Sequence, residues 1–109
     1  AGIAINPDTN IENVEKYLEY IDELTVMTVV PGKGGQSLIV DCLDKVKQLR
    51  KIKEMNNLGF DIQVDGGVKK DNIKLVNDAG ADIAVAGTAI FNSENSIQNN
   101  LQALMDALR

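Results

Sequence analysis

Short runs rich in Val, Ile and Thr alternate along the chain with longer stretches whose apolar residues recur every three or four positions, and glycine or polar clusters mark the joins. Such alternation predicts successive βα units. The first strand runs from Gly2 to Ile5 and ends at Asn6-Pro7, where proline removes a ladder donor. Thr9 and Glu12 have capping-box spacing, and Ile11, Val14, Leu18 and Ile21 share one face of a short predicted helix. Leu24 to Val30 is apolar on both faces, as a buried parallel strand should be, and stops at Pro31-Gly32-Lys33-Gly34-Gly35-Gln36. Ile39, Leu43, Val46 and Leu49 then predict a helix to about Asn57, with Lys45, Lys47, Arg50 and Lys51 toward its later turns, where the dipole favours cations. Phe60 to Asp65 reads as a third strand before Gly66-Gly67. A helix containing Ile73, Leu75 and Val76 follows, closed by Gly80. Asp82 to Ala86 is the fourth strand, ending at Gly87-Thr88, and Ser93 is placed to cap a last helix with Ile97, Leu101, Leu104 and Leu108 on one face.

Periodicity leaves two architectures open: half of an eight-stranded α/β barrel, or a small doubly wound sheet. With 109 residues, 44% of them apolar and 25% charged, the composition fits one modest domain spanning 1–109 and excludes two. The apolar runs fall far short of the roughly 20 residues of a membrane span. The opening Ala-Gly-Ile-Ala-Ile-Asn has no basic region to suggest a signal peptide, and its lack of Met predicts a processed chain or a fragment.

A net charge of −5, spread without blocks of one sign, together with only two Tyr and two Phe, argues against a nucleic-acid partner. Cys42 is the single cysteine and there is no histidine, which excludes an internal disulfide, a Cys/His zinc site and a Ser-His-Asp triad within this chain. Carboxylate, lysine, hydroxyl and backbone amide remain for chemistry.

Each strand-to-helix turn lies at the C-terminal edge of a parallel sheet, where ligands bind in both candidate architectures. Gly32-Lys33-Gly34-Gly35 is not a Walker motif, and taken alone it reads as a flexible turn before it reads as a phosphate cradle. With Gly66-Gly67 and Gly87-Thr88 in the following turns, however, backbone donors from three loops can converge on one phosphate. Asp65 is the carboxylate at the end of an apolar strand, beside that proposed phosphate site, and suits either proton transfer or a turn cap. Lys33 is an exposed loop cation or a phosphate contact. Met27 and Cys42 read as packed core residues, and Asp22, Glu23 and Glu94 as solvated charges.

Val26-Met27-Thr28-Val29-Val30-Pro31-Gly32-Lys33-Gly34-Gly35-Gln36, Val64-Asp65-Gly66-Gly67-Val68, Ala79-Gly80-Ala81-Asp82 and Val85-Ala86-Gly87-Thr88-Ala89-Ile90-Phe91 resemble successive signatures of the ribulose-phosphate 3-epimerase family, and Gly2-Ile3-Ala4-Ile5-Asn6-Pro7 fits as well. The resemblance covers the C-terminal half of that family's (β/α)8 barrel, of the TIM, ribulose-phosphate-binding type. It implies a cytoplasmic isomerase of the pentose phosphate pathway that interconverts D-ribulose 5-phosphate and D-xylulose 5-phosphate by proton transfer between two aspartates through an enediolate, with a divalent metal (Zn, Fe, Mn or Co). Asp65 matches one of the two aspartates and a metal ligand. The phosphate contacts carry over to Gly32, Lys33, Gly34, Gly35, Gly66, Gly67, Gly87 and Thr88, and Met27 would lie near the sugar. The family usually has an aromatic residue at Lys33 and an acidic or amide residue at Val30, so this sequence departs from the family pattern at both positions.

The other catalytic aspartate and the metal-binding histidines belong to the family's N-terminal half, so the resemblance implies an incomplete metal site and little or no activity for this chain alone. Two other readings compete. A hexulose-phosphate (allulose 6-phosphate) 3-epimerase would share the loops, although Asp65-Gly66-Gly67 favours the pentose enzyme. A non-catalytic phosphate-binding half-barrel would leave sheet edges and one face open, and self-association into a homo-oligomer is its expected remedy.

Overall fold

The computed structural model describes residues 1–29, 38–85 and 96–108. Four strands, β1 (Gly2–Ile5), β2 (Glu23–Met27), β3 (Asp61–Asp65) and β4 (Ile83–Val85), form one sheet in the order β1-β2-β3-β4, and all three pairings are parallel. Among the described residues the helices are α1 (Cys42–Met55), α2 (Ile73–Ala79) and α3 (Ile97–Leu108), and two 3-10 segments, Ile11–Asn13 and Glu15–Tyr20, join β1 to β2. Each predicted strand is present: β1 has the predicted bounds, β2 starts one residue earlier and stops at Met27, and β3 and β4 each start one residue later. Val30 and Ala86, given to strands by the sequence, lie outside the described residues, as does Ser93.

Which architecture the chain adopts is decided by the faces of the sheet. Leu24 and Val26 of β2 and Ile62 and Val64 of β3 are fully buried. They join one core with Leu18 of the 3-10 segment, Leu43, Val46 and Leu49 of α1, Ile73 and Val76 of α2, and Leu104 of α3. Side chains alternate across a strand, so these positions share one face, and among the described residues each helical element packs on it. On the other face Thr25, Met27, Gln63 and Asp65 are half-buried, while Ala4, Ile83 and Val85 are exposed. A doubly wound sheet buries both faces and reverses its strand order. This sheet does neither: it is a singly wound α/β array, consistent with one arc of a (β/α)8 barrel.

Several local expectations are corrected. Residues 11–20 form three-residue turns rather than an α-helix: Asn13, Val14 and Tyr17 donate to Asn10, Ile11 and Val14 carbonyls. The Thr9 hydroxyl does not cap them. It accepts the Asn6 amide at 3.0 Å and closes the turn after β1, so the first helical turn lacks the donor-satisfying side chain that would have set an α-helix. Helix α1 begins at Cys42 rather than Ile39: the amides of Cys42, Leu43 and Asp44 close three-residue turns onto Ile39, Val40 and Asp41, and the Ile39 amide donates to the Thr28 carbonyl at 2.7 Å. At its other end Asn57 takes φ 53° and Leu58 donates back to the Lys53 carbonyl, a Schellman-type closure two residues beyond Met55.

Lys45 lies in the first turn of α1, not a later one, and its ammonium reaches the carbonyls of Asn6, Pro7 and Thr9 in the loop after β1. On α3 only one flank of the apolar face is covered. Leu104 and Asn100 are buried, whereas Ile97, Leu101, Met105 and Leu108 stay substantially exposed. Ser96 accepts the Asn99 amide at 3.1 Å and so sits as the helix's capping side chain.

Candidate functional site

Asp65 ends β3, and the parallel register places Met27 of β2 and Val85 of β4 beside it in one row. Asp65 and Met27 both belong to the half-buried set on the helix-free face, so the carboxylate stands at the C-terminal edge of the sheet next to a thioether and an aliphatic side chain. Met27, read from sequence as core, is therefore on the site face and not against the helices. One row lower, Thr25, Gln63 and Ile83 are neutral, which leaves Asp65 as the charge of this central stretch of the face among the described residues.

The chain leaves Asp65 through Gly66 at φ 135° and Gly67 at φ 73°. A Cβ on Gly66 would lie 2.7 Å from Val29 Cγ2 and 2.9 Å from the Val29 backbone nitrogen, so the position demands glycine on both conformational and spatial grounds. Successive backbone N–H groups in a turn can form a concavity suited to an anion. Asn72 holds the rest of the turn: its Nδ2 donates to the Gly67 carbonyl at 2.9 Å and its Oδ1 accepts the Lys69 amide at 2.9 Å. An Asn just before an apolar helical run signals a helix start. Here it organises the preceding loop instead.

Thr28, which the sequence places within the second strand with no role of its own, is fully buried at this edge. Its hydroxyl donates to the Gly66 carbonyl at 2.6 Å, its amide to the Asp65 carbonyl at 3.0 Å, and its carbonyl accepts Ile39. A threonine in an apolar strand gives no local sign of such a role, because its partners lie 11 to 38 residues away.

Asp65, Gly66 and Gly67 are thus brought together at one strand end. Gly32, Lys33, Gly34, Gly35, Gly87 and Thr88 lie outside the described residues, although the segments that carry them leave the same edge of the sheet, after β2 and β4. A divalent cation needs about four to six donors. Among the described residues no group of three His, Cys, Asp or Glu is gathered, and the row neighbours of Asp65 offer no oxygen or imidazole. These residues fit one ligand of a metal centre and not a centre.

Elsewhere, burial raises the pKa of the Cys42 thiol, as expected for a packed residue. A shallow hollow of about 470 Å³ between the second 3-10 segment and the end of α1 is lined by Glu15, Lys16, Glu19, Ile52, Asn56 and Leu58. It adjoins the segment entering β3, at the edge of the sheet opposite Asp65. No helix among the described residues is long and apolar enough to cross a membrane.

A singly wound parallel α/β array with a carboxylate and a left-handed glycine pair at the C-terminal edge of its sheet defines the class of protein. The ribulose-phosphate 3 epimerase family model matches residues 1–91, and the chain belongs to that family. It is 45% identical over 91 residues to a ribulose-phosphate 3-epimerase of Serratia marcescens, covering 84% of this chain and 43% of the relative. The corresponding protein of Schizosaccharomyces pombe is 43% identical over 94 residues, covering 86% and 40%. That of Escherichia coli K12 is 40% identical over 111 residues, covering 100% of the chain and 46% of the relative. The chain therefore spans less than half the length of these relatives.

Proposed function

We propose that the chain supplies the phosphate grip and one of two proton-transferring carboxylates of a ribulose-phosphate 3-epimerase, residues 1–109 forming the C-terminal half of its barrel. The observation that carries this reading is Asp65, placed on the helix-free face immediately before two glycines in left-handed conformations. A carboxylate there can take or return the C3 proton on one face of ribulose 5-phosphate, and the Gly66 and Gly67 turn can hold the phosphate that anchors the sugar. The loops with Gly32, Lys33, Gly34, Gly35, Gly87 and Thr88 complete the grip in this proposal. A divalent metal would supply charge stabilisation for the enediolate, with Asp65 as this chain's single ligand. The carboxylate for the opposite face and the remaining metal ligands come from outside these residues, so the chain by itself turns over little or no substrate. The working site is cytoplasmic, among soluble sugar phosphates.

The test is epimerisation, together with incorporation of solvent deuterium at C3 of ribulose 5-phosphate, by a polypeptide that joins this chain to the N-terminal half of a relative such as the Escherichia coli protein. Asp65→Asn is expected to lower epimerisation by about 10²–10⁴-fold. An active parent whose Asp65→Asn variant epimerises at the parental rate would refute the role of Asp65. Faster turnover of allulose 6-phosphate than of ribulose 5-phosphate would reassign the substrate to the hexulose class.

A further inference from the structure

We infer that Thr28 is a positioning residue that sets the geometry of the phosphate-binding turn, an inference that rests on the reading just given. Three segments meet at this side chain and its own backbone. The hydroxyl donates to the Gly66 carbonyl at 2.6 Å, the amide extends the β2–β3 ladder by donating to the Asp65 carbonyl at 3.0 Å, and the carbonyl accepts the Ile39 amide at 2.7 Å. The first two bonds fix Asp65 and Gly66 to the end of β2. The third ties together the two ends of the segment between β2 and α1, in which Gly32 to Gly35 lie.

The hydroxyl does what the backbone bonds cannot. Gly66 at φ 135° has lost strand geometry, and the orientation of its peptide plane decides where the Gly67 amide points, because the Gly66 carbonyl and the Gly67 N–H share that plane. A short bond from a fully buried hydroxyl to that carbonyl holds the plane and so aims the N–H on its other side. Close packing reinforces the hold, since the Gly66 Cα lies against Val29 and Thr28 so tightly that a Cβ there would come within 3.0 Å of Thr28 Oγ1. Removing the hydroxyl leaves a buried carbonyl without this donor and frees the plane to rotate.

The experiment follows the amide resonances of Gly66 and Gly67 in the full 109-residue chain during titration with inorganic phosphate. In the parent both amides shift with phosphate. Thr28→Val is expected to weaken the phosphate response by about tenfold, the effect of one lost hydrogen bond, while Thr28→Ser retains it. Thr28→Ala against Thr28→Ser isolates the hydroxyl in a second pair that creates no bulk, so the comparison survives a poorly folded valine variant. Equal phosphate affinity in the serine and alanine variants, or loss of affinity in serine as large as in alanine, overturns the positioning role. A parent in which phosphate moves neither glycine amide refutes instead the phosphate reading on which it rests.

Discussion

Gly80 ends α2 at φ 113°, and Arg50 of α1 lies against it so closely that a Cβ would meet Arg50 Cγ at 2.7 Å and Cβ at 2.8 Å. The small residue lets Arg50 pass and bond Asp82 at 3.1 Å, while Lys53 reaches the other Asp82 oxygen at 3.3 Å and the Ile62 amide donates to that same oxygen at 2.9 Å. Ala79-Gly80-Ala81-Asp82 is thus a structural fastening between α1, β3 and β4. Gly80→Ala combines a left-handed backbone with a collision and is expected to cost about 1–3 kcal/mol, read as a lowered denaturant midpoint. Partial burial pushes the Asp82 carboxyl up, but the Ile62 amide, Lys53 and Arg50 outweigh it, so its pKa lies below the ordinary 3.8. A lowered folded-state pKa gives stability that is present above 3.8 and lost as pH falls through the folded value. Asp82→Asn keeps an oxygen for Ile62 and loses the charge. It should be about 1–2 kcal/mol less stable near neutrality, and its stability curve should approach the parent's as the pH falls below 3.8. Denaturant unfolding at a series of pH values checks this, and a constant gap down to pH 2 would contradict it.

At the scale of elements, the strands and long helices were legible because burial imposes its period on sequence: Leu24 and Val26, Ile62 and Val64, and Val46 and Leu49 all face the core their spacing implies. What escaped was decided by hydrogen-bond partners that hydrophobic periodicity does not encode. Thr9 spends its hydroxyl on Asn6, Ile39 its amide on Thr28, and Lys45 its charge on three carbonyls of another loop. The last two fasten the start of α1 to β2 and to the loop after β1, contacts that local rules do not announce. The site was legible to the same degree. Asp65 and Gly66-Gly67 were visible as a carboxylate and a breaker after an apolar run, whereas Thr28 and Asn72, which hold them, look like ordinary strand and cap residues.

For the whole molecule, the helix-free face with Ala4, Ile83 and Val85, and the uncovered flank of α3 with Ile97, Leu101, Met105 and Leu108, leave apolar surface on two sides. Among the described residues, β1 and β4 are also unpaired along their outer edges. We propose that the isolated chain self-associates. Sedimentation velocity is expected to show species heavier than the 11.8 kDa chain, with Leu101→Glu shifting the distribution toward the monomer. A parent that is monomeric at every concentration would count against it.

The order of the strands along the sheet is the order of the strands along the chain. Among the described residues no strand is inserted between two others, so each pairing is completed as soon as the next unit arrives and none waits for a distant segment. A sheet built this way can gain or lose a whole βα unit at either end without disturbing the pairings among the units that remain. Its natural joints for recombination are therefore the boundaries between units, and a piece cut at such a boundary keeps its internal register intact.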